Sequence, residues 1–162
     1  MVSDADHAAL EAQLGRPARG VVEVVHRCSC GQPDVVKTAP RLDDGTPFPT
    51  VYYLTCPRAA GAIGTLESSG LMREMTEALE QDPELAAQYA KAHEDYLAVR
   101  EEIEHVEEIA GISAGGMPTR VKCLHVLIAH SLAAGPGVNP LGDQALALLD
   151  DWGKSGKCGD CA

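Results

Sequence analysis

Hydrophobic positions in this chain fall into two regimes. Between Gly20 and Thr55 they form short β-branched runs, GVVEVVHRC, DVVKT and TVYYLT, set between turn residues. Beyond Cys56 they recur at the three- and four-residue spacing of helices. The first pattern predicts strands and the second predicts helices. SCGQP turns the first strand into the second as a hairpin, and APRLDDGTPFP, with three of the ten prolines, is a loop before the third.

Helix boundaries follow from capping chemistry. SDADHAALEAQLG reads as a first helix with Ser3 or Asp4 as N-cap and Gly15 as stop. Cys56-Pro57 closes the third strand and opens a glycine-containing helix over RAAGAIGTLESSG, followed by LMREMTEALEQ. Asp82-Pro83-Glu84 starts a long helix reaching Ala110, and GISAGGMP breaks it. A central helix then runs from about Pro118 to Ala134, closed by Gly135. Its middle, VKCLHVLIAH, is apolar on nearly every side and is expected to be buried. Asn139-Pro140 starts a last helix through about Asp151. The fold class is α+β and mostly helical: a three-stranded antiparallel N-terminal sheet packed on a helical bundle around a buried central helix. Residues 1–152 form one globular domain and 153–162 a cysteine-containing tail.

Thirteen basic and 24 acidic residues give a net charge of −11. Such a surface repels phosphate backbones, and six aromatic residues make a poor stacking platform, so no nucleic-acid partner is expected. The polar, acidic start lacks the regions of a signal peptide, and no apolar run reaches the roughly 18 residues of a membrane span. The expected location is the cytoplasm, with no membrane partner. The sequence is silent on oligomeric state. Six cysteines in a reducing compartment read as ligands or redox groups rather than as a disulfide frame.

Cys28 and Cys30 form a C-x-C pair at a strand end, where residues two apart share a face; His26 shares that parity. Cys56 stands at a helix start, where unpaired N–H groups favour a thiolate. Cys123 lies in the first turns of the central helix; His130 shares its face two turns on, whereas His125 points elsewhere. Four thiols on three elements can converge, and a set of four cysteines suits an iron–sulfur cluster or, alternatively, zinc. The competing reading leaves Cys56 and Cys123 as small core residues. Cys158 and Cys161 form a C-x-x-C in the tail, a candidate redox pair or metal-delivery segment. His125 is the expected site histidine and His130 a satisfied core residue, because a buried imidazole needs a partner. His7, His93 and His105 read as surface helix residues. Glu102 and His105 make a single E-x-x-H where di-iron bundles need two, and no phosphate loop, dinucleotide fingerprint or nucleophile elbow is present.

RCSCGQPDVVKTAPRLDDGTPFPTVYYLTCPR, MREMTEAL and GGMPTRVKCLHVLIAHSLAAGPGVNPLGD resemble the actinobacterial family known as domain of unknown function 501, over roughly residues 20 to 150. The resemblance implies a cytoplasmic bacterial protein of unassigned activity. The family's motif cysteines correspond to Cys28, Cys30, Cys56 and Cys123. Its polar loop residues correspond to Arg41, Asp44, Thr46, Arg58, Arg120, Asn139 and Asp143.

Two functional readings follow. In one, three cysteine ligands leave an iron open as a Lewis acid on a small anionic or sulfur-containing molecule. Arg41, Arg58 and Arg120 then hold the substrate, and His125 or Asp143 moves protons. In the other, zinc or a cluster only staples the hairpin to the helices or senses redox state. Four ligands close a site, and three leave it open.

Overall fold

The computed structural model describes residues 2–149. The first helix, α1 (Asp4–Leu14), is capped as the sequence requires: Ser3 Oγ accepts the Asp6 N–H, and Gly15 turns the chain with φ 72°. A bidentate Asp6–Arg27 pair, both bonds 2.9 Å, fastens it to the sheet. The Arg27 guanidinium holds the Asp6 carboxyl down at about 2.

Strands β1 (Val21–Arg27), β2 (Pro33–Thr38) and β3 (Tyr52–Leu54) form an antiparallel sheet in the order β1-β2-β3. Central β2 is almost wholly buried. Val35 and Tyr52 enter the hydrophobic core, where the central helix covers them. The loop from 39 to 50 packs Phe48 on Tyr53 and is further held by ions and carbonyls. Arg100, 1% exposed, donates to the Pro49 and Ile109 carbonyls, and Arg41 pairs with Glu108 at 2.8 Å.

Helices α2 (Pro57–Glu67), α3 (Leu71–Gln81), α4 (Pro83–Ile103), α5 (Leu124–Ala134) and α6 (Pro140–Leu148) complete the chain as described. Pro57, Pro83 and Pro140 each occupy a first helical turn, as their fixed φ favours. Among the described residues, no helix is long and apolar enough to cross a membrane.

Three expectations are corrected. α4 stops at Ile103 instead of reaching Ala110. Glutamates 101, 102, 104, 107 and 108 crowd the negative end of the helix dipole, and Arg100 draws the Ile109 carbonyl back over the helix. The central helix begins at Leu124 rather than about Pro118, because 114–119 is a bend and turns and 120–123 is non-helical. Gly116 (φ 94°) lies there so close to the Arg120 carbonyl that no Cβ fits. His93 is buried, not at the surface, and pairs with Ser113 Oγ at 2.7 Å.

α5 is the axis of the molecule: Leu124, Leu127, Ile128, Ala129 and His130 are all fully buried. It meets the sheet, α2 and α6. The α5–α6 contact depends on Gly142, where a Cβ would collide with the Leu127 carbonyl and Ser131 Oγ. Gly142→Ala must therefore push α6 away, with an expected cost of about 1–3 kcal/mol as overpacking. Gly64→Ala, in the open interior of α2, meets nothing within 4 Å and should stabilise by roughly 1 kcal/mol through helix propensity. Urea unfolding of the two variants tests the contrast; a Gly142→Ala midpoint equal to wild type would show that the helices do not need this approach.

Candidate metal centre

Three ligand atoms of different chemistry meet where α2 ends and α5 begins. A carboxylate oxygen of Glu67, the Cys123 sulfur and an imidazole nitrogen of His125 all lie within 4.8 Å of one another. Glu67 is the last residue of α2, and Cys123 is the N-cap of α5. Glu67 Oε2 accepts the Leu124 N–H at 2.8 Å and faces His125 Nδ1 at 3.1 Å. One carboxylate thus caps α5 and touches the imidazole. The unpaired N–H groups of the helix start favour negative charge at this place.

The orientation of His125 is fixed from behind. Its Nε2–H donates to the Ala60 carbonyl at 3.1 Å, one turn into α2, so Nδ1 is the atom that faces Glu67. A ligating histidine commonly donates its other ring N–H to a carbonyl in this way. The hydrogen bond with Cys123, then the Glu67 carboxylate and the Ala60 carbonyl, raise the His125 pKa to about 9 against the opposing effect of burial. In the protein as described, His125 is therefore an imidazolium at neutral pH, and a cation that took its place would displace the Nδ1 proton.

Placing Cys123 at the N-cap explains why it meets His125. Two residues apart on a helix, their side chains would diverge by about 200°. Cys123 instead has extended backbone, φ −150°, which brings its sulfur to the imidazole. The reading that turned His125 away from Cys123 is corrected on this point. Glu67 went unnoticed in the sequence; it is 58 residues from His125, and only the α2–α5 packing joins them.

A second thiol group sits at the hairpin. Cys28 N–H donates to Gln32 O and Gly31 N–H to Cys28 O, closing a tight turn with Gly31 at φ 89°. The Cys28 and Cys30 sulfurs are 2.7 Å apart. Thr55 N–H donates to Asp34 O, so buried Cys56, the next residue, stands at this same end of the sheet. Cys56 and Glu67 mark opposite ends of the 11-residue α2, roughly 16 Å apart at 1.5 Å per residue. His26 does not follow the strand parity toward Cys28. Register shifts on both sides of it turn the ring to the Asp34 carboxylate, 2.8 Å away.

The other named residues are dispersed. Arg41 is engaged by Glu108, Glu104 and the Gly45 carbonyl. Asp143 accepts the Gly137 N–H at 2.9 Å. Arg120 is exposed, its carbonyl taking the Tyr89 hydroxyl. Arg58 is half-buried, and its Nη1 is enclosed with no hydrogen-bond partner among the described residues. His130 is a satisfied core histidine, bonded to Asp95 and Asn139. Cys158 and Cys161 lie outside the described residues.

A family model described as "Protein of unknown function (DUF501)" matches residues 24–147, a span that includes both thiol groups. No curated protein and no solved structure matches the chain.

The raised His125 pKa has a sign. A folded pKa of about 9 against 6.5 for the free group means the folded state holds the proton more tightly. That contribution is complete below pH 6.5 and is lost as pH rises through about 9. Metal-free wild type should lose stability over that interval relative to His125→Gln, and the His125 ring resonances should titrate near the upper end. A midpoint near 6.5 would remove the Cys123–His125–Glu67 interaction in solution.

Proposed function

This chain belongs to the protein family of unknown function DUF501, and for it we propose a metal-binding role in which Glu67, Cys123 and His125 hold a divalent cation. The observation that carries the reading is the convergence of these three donors within 4.8 Å. A thiolate, an imidazole and a carboxylate together suit zinc better than an iron–sulfur cluster, which is held chiefly by thiolates. Three protein ligands leave a fourth tetrahedral position open, the arrangement of catalytic rather than closed structural zinc sites. Zinc so held supplies Lewis acidity to an oxygen or sulfur of a small anionic molecule. The chain's own part is to fix the ligands. Ala60 O orients His125, the Leu124 N–H orients Glu67, and the extended backbone of Cys123 sets its sulfur beside them. Arg58, with its enclosed Nη1, lies in the first turn of α2, at the other end of the helix from Glu67, and is not part of this centre. A cytoplasmic location agrees with thiols kept reduced.

A second reading is favoured by one specific observation, the touching sulfurs of Cys28 and Cys30 with Cys56 at the same sheet end. There an iron–sulfur cluster takes Cys28, Cys30 and Cys56 as ligands, while Cys123, the fourth of the sequence-based set, stands with Glu67 and His125. That centre is coloured, and zinc is not.

Protein purified without oxygen should contain about one zinc per chain and show no cluster absorption. Cys123→Ala and His125→Ala should each lose the metal and lower Tm, since binding energy is also folding energy. Cys28→Ser/Cys30→Ser should keep the zinc. Affinity should rise with pH toward 9, because the His125 proton must leave. Full zinc content in Cys123→Ala sinks the proposal, and a brown protein that bleaches in Cys28→Ser/Cys30→Ser establishes the cluster instead.

A further inference from the structure

The hairpin pair lies outside the Glu67–Cys123–His125 group and has a chemistry of its own. In the Cys28-Ser29-Cys30-Gly31 turn, the Cys28 carbonyl accepts the Gly31 N–H at 2.9 Å, and the Cys28 N–H is anchored to Gln32 O at 3.0 Å. The turn fixes the backbone on both sides of the thiols. Their sulfurs stand 2.7 Å apart, in direct contact. The two thiols differ in access: Cys28 is 6% exposed and Cys30 is open to solvent. One thiol that solvent reaches, beside one it does not, is the layout of an attacking and a resolving cysteine.

We propose that Cys28 and Cys30 form a dithiol–disulfide couple that exchanges with a low-molecular-weight disulfide, RS–SR. The Cys30 thiolate attacks one sulfur of RS–SR, a Cys30–SR bond forms, and RS⁻ leaves. The Cys28 thiolate then attacks the Cys30 sulfur; the Cys28–Cys30 bond forms, and the second RS⁻ leaves. The chain gives up two protons and two electrons, and RS–SR becomes two RSH. No metal and no group beyond the small disulfide is required. The couple uses none of the three proposed zinc ligands.

The test uses the full chain, reduced and then treated with excess glutathione disulfide. Trypsin cuts after Arg27 and Lys37, so the 28–37 peptide carries both thiols and no other cysteine. Wild type should yield this peptide lighter by two hydrogens, with no lasting glutathione adduct. Cys28→Ser should trap one glutathione on Cys30, because the resolving sulfur is gone. Cys30→Ser should leave the peptide unmodified, because Cys28 is covered. Since Cys28→Ser alters a buried site, the wild-type time course is an independent reading: the mixed disulfide must rise and decay before the light peptide accumulates. The proposal is overturned if the wild-type peptide stays reduced, as a tightly held metal at these two sulfurs would enforce, or if Cys30→Ser is glutathionylated as fast as Cys28→Ser.

Discussion

The imidazole of His130 holds four elements of this fold in one arrangement. It is fully buried on α5, and a buried ring nitrogen without a partner costs on the order of 1–3 kcal/mol. Both nitrogens are satisfied by other helices. Nε2 donates to Asp95 Oδ2 of α4 at 2.8 Å, and Nδ1 accepts from Asn139 Nδ2 at 3.2 Å. The direction of the second bond is set by capping. Asn139 Oδ1 already takes the Gly142 N–H at the start of α6, so its NH2 is what faces His130. The ring also lies between Tyr52 of β3, stacked at 5.8 Å, and Tyr96 of α4, edge-on at 5.2 Å. Burial lowers the His130 pKa despite Asp95, so the ring is the neutral Nε2–H tautomer. α4, α6 and β3 are thus keyed to one side chain on α5. The two ends of that helix are then placed: its start at Glu67, its end at the Gly142 contact.

This keying explains what could be read from the sequence. VKCLHVLIAH was legible as buried because it is apolar on nearly every side, and His130 was legible as satisfied because burial demands partners. Local chemistry marked α1, α2 and α6 well: Ser3, Pro57 and Pro140 act within their own turns. The end of α4 and the start of α5 were not legible. They are decided by Arg100 reaching Pro49 and Ile109, and by glycines whose φ depends on backbone passing nearby. The candidate centre was half legible for the same reason. Cys123 and His125 stand out in an apolar run, but a thiol at an N-cap points differently from a thiol in the first helical turn. Glu67 is one glutamate among many until α2 and α5 are packed.

The arginines divide by the partner each one finds. In a chain of net charge −11, a guanidinium has many carboxylates to choose from. Arg41 has taken Glu108, Arg19 has taken Asp44, and Arg27 has taken Asp6. Exposed pairs of this kind contribute little individually, with a median of roughly 0–1 kcal/mol. What they do is tie the 39–50 loop to its neighbours before β1 and after α4, and α1 to the sheet. Arg100 differs: its bonds go to neutral carbonyls, so it fixes backbone without cancelling a charge. Arg58 departs from both patterns, since a partnerless buried donor is costly unless something outside the described residues or the chain satisfies it.

The two thiol groups are tuned to different chemistry by their backbone settings. At the α5 N-cap the sulfur sits against an imidazolium and a carboxylate that already share a proton. Any cation entering there competes with that proton, so occupancy is coupled to pH across the range below about 9. At the hairpin the turn supplies proximity, and proximity between sulfurs favours exchange with other sulfur compounds. α2 separates the two, with Cys56 at one end and Glu67 at the other. His125 reaches back along α2 to the Ala60 carbonyl, one turn from Cys56, so the helix carries both settings on one rigid element.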